Sequence, residues 1–281
     1  MRNDNHRTEM LSINERQAEY YHDTIDVIES TGSPAKRLWK RMKGLQSSVR
    51  KQAGIDENVY DLHWRWMGDL SQKRVMDLGC FDGSDLSLAL AQRAKSYLGV
   101  DLSEHAIERL RKKLDEGGLN DAQVRAADFL SPEFTDGEFD VIYAKSVAHH
   151  FKYFGVFLET LAGKLAPGGG VVVTFDPMQT SLLTTSLRSL YRPFQPDRDW
   201  EWPFSKQTFR AIQQHFDIVE IQGVMGFAKW ALPFAFINSD LATGLCKRLH
   251  QQDLKHCSSL NSSFYGCLQV AMCWKGRPPL A

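Results

Sequence analysis

This 281-residue sequence lacks an excess of charge of either sign, because 34 lysines and arginines balance 34 aspartates and glutamates. A neutral chain is not drawn as a whole to a polyanion, and no basic recognition module is added to it. Nucleic acid is therefore not an expected partner.

Cysteine is scarce and irregularly spaced. The five cysteines are Cys80, Cys246, Cys257, Cys267 and Cys273. An odd number cannot pair completely, and none of the spacings is the short one of zinc-binding motifs. The pattern is typical of reduced thiols in a cytoplasmic protein, and it predicts no metal site.

Long apolar runs are also absent. The longest, Trp230–Ile237, contains Pro233 and is far shorter than the roughly 20 residues that cross a bilayer. The first 16 residues are polar and charged, without the apolar core of a signal peptide. A composition of 43% hydrophobic and 24% charged residues is that of a soluble globular chain.

The most informative segment is residues 74–84, RVMDLGCFDGS. An apolar run reaches Asp77, passes through a turn with Gly79 and Gly83, and enters a helical pattern over residues 85–94. A strand that turns into a helix leaves backbone N–H groups free at the helix start, where a polar ligand can sit. Glycine lets ligand atoms approach the backbone closely.

A second apolar run, residues 97–100, ends at Asp101, which follows Gly79 by 22 positions (101 − 79). A carboxylate at this distance can accept hydrogen bonds from ribose hydroxyl groups. The turn and the acid together predict a nucleoside ligand. A dinucleotide-dependent oxidoreductase would share both features, but its glycine pattern differs from this one.

These segments and three later ones resemble, in order, the motifs of the class I S-adenosylmethionine-dependent methyltransferases. Residues 74–84 resemble the first motif, and Asp101 resembles the acid that binds ribose. The later segments are Ala126–Phe129, similar to the adenine-contacting segment, Glu138–Lys145, similar to strand 4, and Leu165–Phe175, similar to a helix end followed by strand 5. One departure is Phe81, where the family usually has glycine.

The resemblance implies an α/β fold, a Rossmann-like, seven-stranded, mostly parallel sheet with helices on both faces. The strands are expected at 73–78, 96–101, 122–127, 139–145, 170–176, 218–224 and 264–274, the last two as an antiparallel hairpin. Ligands on such sheets bind beyond the carboxyl ends of the parallel strands.

The resemblance also implies S-adenosylmethionine as the cofactor. Asp77, Gly79 and Gly83 would lie at its methionine end, Asp101 at the ribose, and Asp128 at the adenine. The full expected set is Asp77, Gly79, Cys80, Gly83, Asp101, Leu102, Asp128, Phe129 and Lys145.

We expect residues 1–70 to form an N-terminal helical cap segment and residues 71–281 to form the methyltransferase domain. Two insertions, at about 177–204 and 225–262, are expected to complete a cap over the substrate. The second is inferred from its length, since roughly 40 residues are too many for a plain connection between two strands.

Residues 34–51 predict a basic amphipathic helix, with no acid between Lys36 and Lys51. Such a helix can lie on a membrane surface or bind a phosphate group, so the sequence allows peripheral membrane contact. An ordinary cap helix with a solvated basic face is the alternative.

The candidate catalytic residues are His149 and His150, which follow strand 4. In the family this loop faces the transferring methyl group, and an imidazole there titrates near neutral pH and can accept a proton. The alternative is structural, with one histidine capping the following helix and the other packing under the cap. The sequence leans slightly to His149 as the base.

Aromatic and arginine side chains are the candidate substrate contacts. They are Tyr20, Tyr21, Arg192, Arg198, Trp200, Trp202 and Trp230, the last beside Phe234 and Phe236. Aromatic faces line apolar pockets, and arginine binds carboxylate or phosphate. The alternative is a small aromatic core within the cap.

The leading hypothesis is a methyltransferase that acts on an oxygen or nitrogen of a small lipophilic or aromatic molecule. Methylation of an alkene carbon, as in an isoprenoid, is a second hypothesis that needs no strong base. A non-catalytic protein that binds S-adenosylmethionine is the third.

Overall fold

The computed structural model describes residues 2–27, 34–167, 170–194 and 198–277. Within them the sheet has seven strands in the order β3-β2-β1-β4-β5-β7-β6. The strands are β1 (Arg74–Leu78), β2 (Ser96–Asp101), β3 (Gln123–Ala126), β4 (Val141–Lys145), β5 (Val171–Pro177), β6 (Phe216–Val224) and β7 (Gln269–Gly276).

Strands β1 to β5 are parallel, and β7 lies antiparallel between β5 and β6. The predicted fold class is confirmed, and the first five strands lie within two residues of their predicted bounds. The last strand begins at Gln269 rather than Phe264, because Phe264–Gly266 forms a 3₁₀ turn before it.

The helices are α1 (Arg2–Val27), α2 (Pro34–Gln52), α3 (Ile55–Met67), α4 (Asp85–Arg93), α5 (Glu104–Glu116), α6 (Phe154–Lys164), α7 (Leu182–Tyr191), α8 (Lys206–His215) and α9 (Ser239–His256). Ser84 and Ser103 begin α4 and α5, and each side-chain hydroxyl accepts a backbone N–H of the first turn. Both serines follow strands closely, so the positive ends of α4 and α5 lie at the carboxyl edge of the sheet.

Alternate side chains of each strand point to opposite faces, and each face buries its own helices. Met76, Leu98 and Ile142 pack on one face, in a core that α1, α6 and α8 complete. Val75 and Tyr97 pack on the other face with α4 and α5. The helices α2, α3 and α9 extend this second layer over β5 and β7.

The N-terminal helices therefore lie on both faces of the sheet rather than in one layer. Met10 and Ile13 of α1 are buried in the first core. Val49 of α2 and Val59 of α3 are buried on the opposite face, beside Phe175 of β5.

The two predicted insertions differ in position. Residues 225–262 are helical, with a 3₁₀ helix at Ala228–Phe236 and then α9, and they pack against α2 and the sheet. Residues 177–204 contain α7, which the sequence did not predict, and two short 3₁₀ turns at Arg192–Phe194 and Arg198–Trp200. In the described part of the chain, no helix combines the length and the apolar character needed to cross a membrane.

Candidate active site

A cavity of about 440 Å³ opens at the carboxyl edge of the sheet, where β1, β2 and β4 end. Its size is typical of small-molecule sites. Asp77, Asp101 and Asp128, which end or follow β1, β2 and β3, line it. The topology brings these three acids together, since parallel strands all end at the same edge.

The turn after β1 forms the floor of the cavity. Gly79 has φ +68°, and a Cβ there would lie 2.1 Å from Cγ2 of Val147. Its backbone N–H donates to the carbonyl of Val100, as does that of Cys80. Only glycine fits this position without moving the loop after β4.

Phe81 occupies a left-handed conformation in the same turn, with φ +48°. Glycine adopts that conformation at lower cost than a residue with a side chain. The backbone N–H donates to Oδ2 of Asp101 at 3.0 Å, and the ring, 41% exposed, stands at the wall of the cavity. The large side chain therefore borders the cavity without filling it.

Asp101 and Asp77 are held by hydrogen bonds, and Asp77 is buried. Oδ1 of Asp101 accepts the N–H of Ser103 at 2.9 Å, and Oδ2 of Asp77 accepts the hydroxyl of Tyr97 at 3.0 Å. Burial raises the pKa of Asp101, although its backbone hydrogen bonds oppose the rise. Burial raises the pKa of Asp77 to about 6.

Helix α1 covers the Asp128 side of the cavity. Nδ2 of Asn14 lies 3.0 Å from both carboxylate oxygens of Asp128, and the N–H of Leu130 donates to Oδ1 at 2.8 Å. Gln17, one helical turn after Asn14, also lines the cavity. Both side chains of α1 are almost fully buried, so α1 shields this end from water.

Helix α3 supports the cavity from the opposite face of the sheet. Nζ of Lys145 donates to the hydroxyl of Tyr60 at 2.5 Å, and Nδ1 of His63 lies 3.0 Å from the hydroxyl of Tyr143. Lys145 and Tyr143 line the cavity. Burial lowers the pKa of His63 to about 3, so this imidazole is neutral at any physiological pH.

The two adjacent histidines have different environments. His150 lines the cavity, and its Nδ1 lies 2.7 Å from the carbonyl oxygen of Trp200. A carbonyl can only accept, so the shorter contact requires a proton on Nδ1, and a neutral ring then holds its lone pair on Nε2; the side-chain amide of Gln17 lies 3.3 Å from the same Nδ1. His149 does not line the cavity and is buried, with Nδ1 2.8 Å from Oδ1 of Asp176.

Behind the cavity, charged side chains form a buried chain. Nε2 of His149 lies 3.9 Å from Oε1 of Glu201, and Glu201 pairs with Arg188 of α7. Burial raises the pKa of Asp176 to about 7. Asp176 also accepts the backbone N–H of His149, so it orders the turn Ala148–His150 after β4.

Several predicted site residues lie elsewhere. Gly83 does not line the cavity; its φ is +75°, and a Cβ there would lie 2.4 Å from Leu110 of α5. Arg192 and Trp230 are exposed and do not line it. Trp200 and Trp202 contact the two histidines through backbone atoms. The carbonyl oxygen of Trp200 lies near Nδ1 of His150, and the N–H of Trp202 donates to the carbonyl of His149 at 2.7 Å.

The side chains of Tyr20, Tyr21 and Arg198 lie outside the described part of the structure. Of the other expected cofactor-binding residues, eight line the cavity: Asp77, Gly79, Cys80, Asp101, Leu102, Asp128, Phe129 and Lys145. In the residues that the structure describes, no group of three or more His, Cys, Asp or Glu is arranged to hold a metal ion.

Sequence reasoning missed the cavity residues of α1 and of the helix cap. Asn14 and Gln17 carry no local signal, because they lie more than 50 residues before the first motif and reach the cavity only in the folded chain. Ser84 and Ser87 form a reciprocal capping pair at the start of α4. Their spacing of three residues is that of a capping box, so the sequence could have predicted their position at the helix start.

Comparison with known proteins shows which family the central part of the chain resembles. A family model described as a methyltransferase domain matches residues 76–173. A fatty-acid O-methyltransferase from Mycolicibacterium smegmatis is 35% identical over 107 residues, which are 38% of each chain. A probable chloroplastic tocopherol O-methyltransferase from Oryza sativa subsp. japonica is 31% identical over 128 residues, 43% of this chain and 35% of that one. The matched part thus spans less than half the length of these relatives.

The fold also matches solved structures. Magnesium protoporphyrin IX methyltransferase from Synechocystis PCC 6803, crystallised with bound SAH, superposes with a TM-score of 0.54. The match covers 94% of this chain and 99% of that one at 16% sequence identity. At this identity the likeness concerns the fold.

Proposed function

Because the chain belongs to the class I S-adenosylmethionine-dependent methyltransferase family, we propose that it transfers a methyl group to an oxygen or nitrogen of a small lipophilic or aromatic molecule. One observation carries the proposal. The three acids at the ends of β1, β2 and β3 line the same cavity as His150, whose Nδ1 lies 2.7 Å from the carbonyl oxygen of Trp200.

The residues of the cavity fit the cofactor. Gly79 would leave room for the methionine end to approach the backbone, and Asp101 would accept hydrogen bonds from the ribose hydroxyl groups. Asp77 and Lys145 offer opposite charges for an amino acid group, and Asp128 with Phe129 offers an acceptor and an apolar face for adenine. When bound, the cofactor supplies a methyl group on a sulfonium, which is electrophilic without further activation.

The contribution of the chain is positioning, exclusion of water and removal of one proton. Asn14 and Gln17 close the cavity from α1, so the reacting groups are held out of bulk water. Nε2 of His150 accepts the proton that an O–H or N–H nucleophile loses, while the carbonyl of Trp200 holds the ring in that tautomer. The geometry supports His150 rather than His149 as the base.

His149 then has a positioning role. Its hydrogen bonds to Asp176 and Trp202 hold the loop that carries His150, and the two rings lie 4.2 Å apart. The alkene alternative has less support, because the described Arg192 and Trp230, two of the residues expected to contact the substrate, lie away from the cavity.

A lipophilic acceptor agrees with the relatives that share this core, among them fatty-acid and tocopherol O-methyltransferases. Such a molecule resides in a bilayer, so the enzyme meets it at a membrane surface. We propose that residues 34–51 of the basic helix α2 contribute to that contact.

Calorimetric titration with S-adenosylhomocysteine tests the cofactor assignment. We expect Asp101→Ala to weaken binding by about 2–3 kcal/mol, the range for losing a charge-assisted hydrogen bond. Asp115→Ala, an exposed acid of α5, is the matched control and should bind like the wild type. Normal binding by Asp101→Ala would overturn the assignment of the cavity.

A further inference from the structure

Large exposed hydrophobic side chains concentrate in one short segment. Of the eight such side chains in the described residues, five lie within residues 230–241. They are Trp230, Phe234, Phe236, Ile237 and Leu241, with exposed fractions from 40% to 80%. We call them the aromatic patch. Exposed apolar side chains grouped in this way are typical of an interaction surface.

The patch is not a poorly packed core. The same 3₁₀ helix buries its small residues, Ala228, Ala231 and Ala235, against the second layer of the sheet. The segment therefore places alanine inward and aromatic rings outward. A segment that only filled the core would have the opposite arrangement.

The basic helix α2 packs directly against the 3₁₀ helix Ala228–Phe236, which carries most of the aromatic patch, and against α9. Val49 near its C-terminal end and Ala53, which directly follows the helix, share a buried cluster with Ala231 and Ala235. The hydroxyl of Thr243 on α9 donates to Oε1 of Gln52 at 3.2 Å. Since a helix rises 1.5 Å per residue, Arg41 lies only about 12 Å along α2 from Val49.

The charge around the patch is positive. Helix α2 has seven basic residues and no acid, and Arg37, Arg41 and Lys43 are exposed. On α9, exposed Arg248 lies two turns after Leu241 and therefore on the same helix face. One exposed acid, Asp240, lies within the patch segment.

We propose that the aromatic patch and helix α2 form one docking surface for an anionic lipid bilayer. Rings of the patch enter the interfacial region of the lipid, while arginine and lysine of α2 contact anionic headgroups. The purpose of this docking, which is delivery of a lipophilic acceptor to the cavity, rests on the proposed function; the docking surface itself does not.

Charge favours a bilayer over a second copy of this chain. In a twofold dimer through this surface, each basic α2 would face the same region of its partner, and like charges across an interface repel. An anionic bilayer instead offers the complementary sign over the whole surface. Amphipathic aromatic residues such as Trp230 are also those favoured at the lipid–water boundary.

The test is flotation of the full chain with vesicles of phosphatidylcholine alone or with 30% phosphatidylglycerol, on the order of physiological anionic content. We expect the wild type to bind the anionic vesicles and to be released as salt is raised, because the Debye length falls. Absence of binding to anionic vesicles by the wild type overturns the proposal.

Two pairs of variants assign the binding to the surface. Phe236→Ser with Ile237→Ser should lower the partition coefficient at least about tenfold, whereas Leu182→Ser, a 90% exposed leucine of α7, should not. Arg37→Glu with Arg41→Glu should lower it at least about tenfold, unlike Lys95→Glu with Lys112→Glu, an exposed pair outside α2.

Vesicle binding tests the docking surface, whereas S-adenosylhomocysteine binding tests the cofactor site, so the two results are independent. Equal vesicle binding by the patch variants and the wild type overturns the assignment of the surface. So does a dimer that the patch substitutions dissociate while vesicle binding is absent, since the surface then serves a second copy. S-adenosylhomocysteine binding, measured on the same variants, should be unchanged; its loss in the wild type would concern the proposed function alone.

Discussion

At the scale of single residues, two residues with strained backbone conformations lie at the cavity. Phe81 and Ser146 are two of four described non-glycine residues with positive φ, at 48° and 58°. Ser146 directly follows β4, Phe81 is the third residue after β1, and both line the cavity. Such conformations are costly and persist where the surrounding structure imposes them, as at functional sites.

The two histidines give a prediction at this scale. Once an acceptor is in hand, His150→Ala should lower the rate of methyl transfer about a hundredfold, because the proton acceptor is lost. Its affinity for S-adenosylhomocysteine, measured by calorimetry, should stay within about twofold of the wild type. An unchanged rate would favour catalysis by positioning alone.

His149→Ala should act differently. It removes the hydrogen-bond partner of a fully buried Asp176, so we expect a loss of about 3 kcal/mol in the free energy of unfolding, measured in urea. His149→Gln, which can still donate to Asp176, should recover part of that stability. Equal stability of His149→Ala and the wild type would contradict the positioning role.

At the scale of elements, α1 is the part of the chain that closes the cavity. It is held at its first half by Arg7, which donates to the carbonyl of Leu130 at 3.0 Å, and by Glu9, which pairs with Lys152 at 2.7 Å. Asn14 then contacts Asp128. All of these partners lie within residues 76–173, the part that the methyltransferase family model matches, so the closure of α1 depends on side-chain contacts across the fold.

Asn14→Asp should loosen α1. A second carboxylate about 3 Å from Asp128 is repelled, so the population in which α1 detaches should rise about tenfold. Trypsin cleavage after Arg7 and Arg16, followed by mass spectrometry, measures this population.

Asn5→Asp is the matched control, because Asn5 is an exposed residue of the same helix. It should be cleaved at the rate of the wild type. If Asn14→Asp is also cleaved at that rate, the contact with Asp128 does not hold α1 in place.

At the scale of the whole molecule, buried acids make stability depend on pH. Burial raises the pKa of Asp77 to about 6 and of Asp176 to about 7, from a value of 3.8 for each. The folded chain thus holds these protons more tightly than the unfolded chain. Their contribution to the free energy of unfolding therefore falls as the pH rises from about 4 to about 7.

Asp176→Asn removes one of these acids while keeping an oxygen that accepts from His149. Relative to the wild type, the variant should gain on the order of 3 kcal/mol in unfolding free energy between pH 4 and pH 8. Urea unfolding at several pH values measures the difference. Asp121→Asn, an exposed control, should show no comparable gain, and a pH profile of Asp176→Asn parallel to the wild type would contradict the prediction.

The sequence by itself determined the sheet and most of the cavity floor. The run from Arg74 to Ser84 and the acid at Asp101 are local signals, since strand, turn and helix preferences act between near neighbours. Parallel strands end at one edge, so residues that follow separate strands were predicted to meet without knowledge of side-chain packing.

Only the tertiary structure decided what covers that floor. Asn14 and Gln17 reach the cavity from a distant helix, His150 rather than its neighbour lines it, and Trp230 lies at the outer surface. The local sequence is the same for two adjacent histidines, so it does not indicate which of them faces the cavity. It likewise does not indicate whether an aromatic side chain faces a substrate or the solvent. Which way each points depends on contacts between segments far apart in the chain, and those contacts exist only once the layers have packed.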